Sequence, residues 1–186
     1  FIYTDAKEAV IDHLSFELRQ GERIFLKGSN GCGKSTLIKN ILSHIKGESL
    51  LNGKEEGLLK TGSGLTVSYI NQDTGFLKGS IREFCKEREL DESLFCALLR
   101  QLDMDRVQFE KNMEDFSEGQ KKKVLIASSL MIPAHLYIWD EPLNYIDVFT
   151  RMQIEELLLK YQPTMLLVDH DESFCNRIAT RIIDFS

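Results

Sequence analysis

The chain has 186 residues, 42% of them apolar and 28% charged, which are the proportions of an ordinary soluble globular domain. Three prolines and 12 glycines exclude a collagen-like or low-complexity chain, and no apolar run approaches the roughly 18 residues of a membrane-spanning helix. The net charge of −6 argues against a domain that holds nucleic acid mainly through its own surface.

In chain order, Leu14, Phe16 and Leu18 alternate with polar residues, the pattern of a half-exposed antiparallel edge. Residues 23–26 are a short apolar run before a Gly-rich turn, the pattern of a buried strand. A helix is predicted over 35–46, with Leu37, Ile38, Ile41, Leu42 and Ile45 on one face and Gly47 ending it. Further strands are predicted at 67–70, 136–139, 165–168 and 181–184, with helices at 119–131, 148–161 and 172–179. Continuous apolar strands separated by helices imply an α/β fold, a parallel sheet covered on both faces. Residues 78–114 are charged and helical, with Leu94, Phe95, Leu98, Leu99 and Leu102 as one apolar stripe, and are expected to form a small helical lobe inserted into the core. Cys32, Cys85, Cys96 and Cys175 fit no zinc or redox spacing and are expected to be reduced thiols, consistent with a cytoplasmic protein. The chain begins at Phe1 with no signal-peptide pattern, so it is expected to be no secretory precursor but a piece of a longer protein.

Gly28-Ser29-Asn30-Gly31-Cys32-Gly33-Lys34-Ser35 matches the phosphate-loop pattern G-x-x-x-x-G-K-[ST]. At average composition that match is about a 1% event over this length. Several backbone N–H groups must point inward around a triphosphate, and the helix that follows adds its positive dipole end. Lys34 can reach the β- and γ-phosphates, and Ser35 offers a hydroxyl to Mg²⁺. Thr36 continues the phosphate-facing turn.

The strand at 136–139 ends in Asp140 and Glu141. Ligands of open α/β sheets sit at the carboxyl edge of the strands, so Asp140 is the candidate for the Mg²⁺ shell. Glu141 is the candidate for polarising a water for in-line attack on the γ-phosphate. Gln72 follows the strand at 67–70 and could sense Mg²⁺ and water as a neutral amide. His170 follows the strand at 165–168 and could donate to a γ-phosphate. His13, His44 and His135 have no comparable setting. Lys121-Lys122-Lys123 reads as a solvated helix face rather than an RNA contact, and Trp139 as a core strand residue.

These motifs, together with Phe116-Ser117-Glu118-Gly119-Gln120 and the segment from Asn144 to Asp147, occur in the sequence order of an ABC-type ATPase domain, which the chain resembles over nearly its whole length. The resemblance implies a P-loop NTPase core with a mainly parallel sheet and an N-terminal antiparallel β edge, occupying 1–77 and 115–186, with a helical subdomain at about 78–114. It implies ATP and Mg²⁺ as substrate and cofactor, with Gly28 to Thr36 and Gln72 on the nucleotide and Ser35, Gln72 and Asp140 on the metal. Glu141 and His170 would be catalytic. Residues 116–120 resemble the ABC signature, in which Ser117, Glu118, Gly119 and Gln120 meet the ATP of a partner domain, so that two domains sandwich two ATPs head to tail. Phe116 stands for the usual Leu and Glu118 for Gly, and Glu118 would place a carboxylate near that phosphate and retune the half-site. Ser117 is also well placed as a helix N-cap. Tyr3, with Phe1 second, is the candidate for stacking on adenine, an edge-strand aromatic over the core being the other reading.

Glu141-Pro142-Leu143-Asn144-Tyr145-Ile146-Asp147 and Asp169-His170-Asp171 with Phe174 are similar to the ABC-F branch, and most to the second ATPase domain of its antibiotic-resistance, ribosome-protecting members. That resemblance implies a ribosome-bound protein without direct membrane insertion, of which this chain is one ATPase domain. The other reading is the ATP-binding subunit of a membrane transporter. A cohesin-like head would need sustained heptads, which are lacking here, and the signature segment argues against a kinase.

Overall fold

A computed structural model describes residues 2–3, 14–48, 53–54 and 58–185, the two short pieces by their backbone alone. Five strands form one parallel sheet: β2 (Arg23–Lys27), β4 (Val67–Ile70), β5 (Leu136–Asp140), β6 (Met165–Val168) and β7 (Arg181–Asp184). Their order is β4-β5-β6-β2-β7, with Ile70 opposite Trp139, Asp140 opposite Val168 and Lys27 opposite Asp184. β1 (Ile2–Tyr3) and β3 (Gly53–Lys54) form a separate antiparallel pair. Because every strand of the larger sheet runs the same way, their carboxyl ends lie along one edge, and β2, β4, β5 and β6 each deliver one of the sequence motifs there.

The central strands β5, β6 and β2 bury both faces, as their unbroken apolar runs predict, whereas at the sheet's edges β4 leaves Tyr69 and β7 leaves Ile182 exposed. Ile24, Leu26, Ile138, Leu166 and Val168 join one core cluster with Ile38 and Ile41 of α1 (Lys34–Lys46). Phe25, Trp139, Met165 and Leu167 point the other way, against α4 (Glu118–Met131), α5 (Val148–Tyr161) and α6 (Glu172–Ile178). The same cluster continues into the segment 78–114, where Phe84 of α2 (Ile81–Glu87) and Phe95 and Leu99 of α3 (Glu92–Gln101) are buried and no strand occurs. Gly47 ends α1 at φ 67° as expected, its N–H donating to the His44 carbonyl at 3.1 Å.

Three expectations are corrected. Residues 14–18 join no strand: Phe16 and Leu18 do pack on the α1-side core, so the alternation of burial is real, but it records a coil lying along the core rather than a ladder. Leu94 falls outside the buried stripe at 60% exposure, because the face of α3 turned to the core is Phe95, Leu99 and the following Leu102. Lys122 and Lys123 are buried, at 3% and 7% exposure, and Lys121 is half-buried. Residues 122–129 of α4 are all buried, and the ends of both lysines emerge at backbone carbonyls on other segments. Element ends differ by one residue from prediction: β2 reaches Lys27, β5 reaches Asp140, α1 begins at Lys34, α4 begins at Glu118 and α6 ends at Ile178. All four cysteines are free.

Candidate functional site

Between the tip of β2 and α1, the phosphate loop turns through Gly33, which caps the helix at φ 104°, a left-handed conformation that a Cβ would strain. Ser29, Asn30 and Gly31 are exposed at the rim, Cys32 is half-buried, and Lys34 and Thr36 are buried. The Lys34 ammonium donates to the carbonyls of Gly28 and Ser29, each at 2.8 Å, which places its charge inside the curl of the loop. Gly28 and Ser29 also border an open cleft whose far wall is Asp169 and His170, at the end of β6.

Ser35 and Asp140 are 105 residues apart, yet Ser35 Oγ donates to Asp140 Oδ2 at 3.2 Å. Burial raises the Asp140 pKa; the Ser35 hydrogen bond opposes this and the neighbouring Glu141 charge adds to it. The second carboxylate oxygen, Oδ1, is buried with no hydrogen-bond partner among the described residues. An orphaned anionic oxygen beside a serine hydroxyl at the edge of a phosphate loop fits Mg²⁺, a hard cation that takes oxygen ligands. Among the described residues there is no cluster of three or more His, Cys, Asp and Glu able to hold a metal ion.

Glu141 adopts φ 53°, an uncommon conformation for a side-chain-bearing residue, while its N–H donates to the Val168 carbonyl at 2.8 Å. The turn lets adjacent carboxylates diverge: Asp140 goes to Ser35 and Glu141 goes to His170. Glu141 Oε1 lies 3.1 Å from His170 Nε2, and Glu141 Oε2 accepts from the Asn144 amide at 3.0 Å. Gln72 lies at the same sheet edge, and its described contact is through its carbonyl, to Lys122. Tyr3 falls in β1, its side chain outside the described residues, and so does the whole of Phe1.

The signature-like segment has a local architecture of its own. Ser117 Oγ accepts from the Gln120 N–H at 3.2 Å while Gln120 Oε1 accepts from the Ser117 N–H at 2.9 Å, so the two form a capping box on α4. Gly119 is required by close approach: a Cβ there would lie 2.6 Å from the Tyr145 carbonyl oxygen. Glu118 is held within the chain, accepting from Thr74 Oγ1 and from Lys121 Nζ, each at 3.1 Å.

Four residues outside the predicted set organise the site. Asp169 Oδ2 accepts from the Leu143 N–H at 3.2 Å and its Oδ1 from the Asp171 N–H at 2.9 Å, joining the loops after β5 and β6. Arg151 bridges the same loops, pairing with Asp171 and donating to the Ile146 carbonyl at 3.1 Å. Lys123 pairs with Asp147 at 3.2 Å and donates to the Asp103 carbonyl at 3.0 Å. Lys122 reaches the segment carrying Gln72. All four are charged residues, and each has at least one partner on another loop or element, which the local sequence does not reveal.

Asp147 caps α5. Partial burial would raise its pKa, but the Thr150 N–H and hydroxyl and the Lys123 ammonium outweigh that and lower it to about 2. A carboxylate with a folded pKa below its unfolded value adds stability above the unfolded value, near pH 4, and loses it as pH falls through the folded one. The stability difference between the parent and Asp147→Asn is therefore expected to be full above about pH 5 and to vanish towards pH 2. With the carboxyl nearly half exposed, screening limits it to about 1 kcal/mol or less, measurable by urea denaturation across that range.

This arrangement — phosphate loop, acidic strand tip, histidine after a third strand, capped signature helix — has counterparts among known proteins. A family model described as ABC transporter matches residues 11–144. The chain belongs to the ABC ATPase family. It is 32% identical to the Bacillus subtilis protein YdiF, over 95% of this chain and 27% of that protein. It is also 32% identical to the ATP-binding protein Uup of Buchnera aphidicola, over 92% of this chain and 29% of that one. Among solved structures it resembles the archaeal ribosome recycling factor aABCE1, in complex with the ribosomal stalk protein aP1, with a TM-score of 0.68 and 27% identity over 90% of this chain and 32% of that one. The chain thus spans under a third of the length of these relatives. ABC ATPase domains bind ATP, generally with Mg²⁺, and hydrolyse it. Among the described residues no helix of this ABC domain is long and apolar enough to cross a membrane.

Proposed function

We propose that this ABC domain is one of two in an ABC-F-type protein of the cytoplasm that acts on the ribosome and protects it against an antibiotic. The observation that carries the branch is the contact between Asn144 and Glu141: the residue that is Asn in the ABC-F-like segment holds one oxygen of the carboxylate proposed as general base. Relatives named Uup and the likeness to a ribosome recycling factor support the same reading.

In this reading Gly28 to Thr36 cradle the phosphates, with the Lys34 charge on the β- and γ-groups, and Gln72 joins Ser35 and Asp140 at the metal. Mg²⁺ held there would neutralise phosphate charge. Glu141 takes a proton from the attacking water, whose oxygen bonds to the γ-phosphorus as the bond to ADP breaks, and His170 fixes Glu141 and faces the γ-phosphate. Tyr3 is the proposed adenine contact. Ser117, Glu118, Gly119 and Gln120 present the N-terminus of α4 to the ATP of the second domain, so ATP closes the pair and hydrolysis opens it.

The test is ribosome co-sedimentation of the full-length protein. With ATP, Glu141→Gln is expected to accumulate on ribosomes, and Lys34→Ala to stay in the supernatant. If the Glu141→Gln protein left ribosomes unoccupied and fractionated with membranes instead, the ribosome reading would fail and the transporter reading would stand.

A further inference from the structure

The lysine run after the signature segment is used by nothing in the reaction above, yet two of its members are buried. Lys122 stands in the second turn of α4, and its Nζ lies 3.4 Å from the Asn71 carbonyl oxygen and 3.5 Å from that of Gln72. These are long but charge-assisted contacts onto the backbone that carries the candidate metal-sensing amide. One turn earlier on the same helix, Glu118 accepts from Thr74 Oγ1 at 3.1 Å, and Thr74 is buried. The segment's other bonds are local: Asp73 N–H to Asn71 Oδ1 at 3.1 Å, Gly75 N–H to Asp73 Oδ1 at 2.8 Å and Leu77 N–H to the Thr74 carbonyl at 3.1 Å. Bonds within the turn shape it; among the described residues, the hydrogen bonds that 71–75 make with another element are those to α4, while further along Phe76 lies beneath the Arg88 guanidinium and Leu77 is buried in the core.

We propose that Lys122 and Glu118 are positioning residues that clamp residues 71–75 to α4, so that the placement of Gln72 at the metal and of the signature helix at the partner's ATP are set by one rigid unit. The inference rests on the ATPase reading of the site and not on the ribosome. Burial lowers the Lys122 pKa, the nearby carboxylates of Glu118, Glu141, Asp140 and Asp169 only partly opposing it. The clamp rests on the geometry of the Lys122 contacts with 71–72 and of the Glu118 contact with Thr74. Glu118 therefore has a partner in its own chain rather than only across a dimer. A clamp made of two residues on one helix, one turn apart, moves with that helix.

The test is hydrogen exchange of the full-length protein, read at peptides covering 71–77, with a parallel titration of a fluorescent ATP analogue with and without Mg²⁺. Lys122→Met keeps the length of the side chain and removes the charge. It is expected to speed exchange at 71–77 about tenfold while exchange in β2 and β6 is unchanged, the loss of roughly one charged hydrogen bond. The gain in analogue affinity on adding Mg²⁺ should shrink in Lys122→Met, shrink equally in Gln72→Ala, and shrink no further in the double variant, because both changes remove the same placement. Lys122→Arg, which keeps the charge, should restore both readouts. If Lys122→Met fails to fold, Thr74→Val, which removes only the Glu118 link, is read in the same way and should also speed exchange at 71–77. Unchanged exchange at 71–77 in the folded variants, or acceleration spread evenly through the sheet, overturns the clamp. Separate, additive losses of the Mg²⁺ effect in Lys122→Met and Gln72→Ala overturn it as well. Loss of ribosome binding with these readouts intact bears only on the proposed function.

Discussion

Glu141→Gln in the full-length protein is expected to lower ATP turnover by about 10²–10⁴-fold while nucleotide affinity stays at the parent level. The affinity is spared because the phosphate loop, Ser35 and Asp140 make no described hydrogen bond to the Glu141 side chain. A glutamine of the same shape can still accept from Asn144 with its amide oxygen, so the backbone turn at φ 53° keeps that support. What is lost is the anionic oxygen facing His170, 3.1 Å away, and with it the proton acceptor for the attacking water. Phosphate release at saturating ATP, paired with calorimetry of ATP binding, reads both quantities. Turnover within about tenfold of the parent would remove Glu141 from the role of general base.

Trp139→Ala is expected to destabilise the fold by about 3–5 kcal/mol, the range for truncating a fully buried aromatic. Trp139 is at 0% exposure in β5, one residue before Asp140, and packs in the core beneath α4. Its indole N–H donates to Ser129 Oγ at 2.9 Å, and Ser129 Oγ lies 2.6 Å from Ser68 Oγ of β4. Truncation therefore leaves a cavity and breaks a buried chain of hydrogen bonds that ties α4 to two strands. Trp139→Phe keeps most of the volume and loses the donor, so about 1–2 kcal/mol is expected from it. Urea denaturation of the two variants separates the cavity from the hydrogen bond: equal losses would mean that packing volume contributes little at this position. Since Trp139 adjoins Asp140, the Ala variant should also weaken nucleotide binding, whereas Glu141→Gln should not.

Sequence alone determined the features that depend on neighbours within a few residues. A Gly-rich turn before an amphipathic stretch specifies the phosphate loop because backbone approach and helix start are local events. The apolar runs before Asp140 and His170 could be read as strand tips because a central parallel strand is apolar on both faces and ends where it meets solvent. The strand before Gln72 is a mixed run, Val67-Ser68-Tyr69-Ile70, that leaves Tyr69 exposed. Ser117 could be read as a cap from its place before a helix, although the reciprocal role of Gln120 emerged only with the fold. Tertiary structure decided everything that required two distant segments to meet. Nothing near Ser35 in the chain says that its hydroxyl will touch Asp140, because that contact depends on β2 and β5 flanking β6 in one sheet. Nothing in a run of three lysines distinguishes a solvated face from Lys122 and Lys123 buried against carbonyls of residues 71, 72 and 103, because the cost of burying a charge is offset only by partners supplied from elsewhere. The coil at 14–18 has the alternation of a strand for the same reason: alternation records which side faces the core, while a ladder needs a neighbour to pair with.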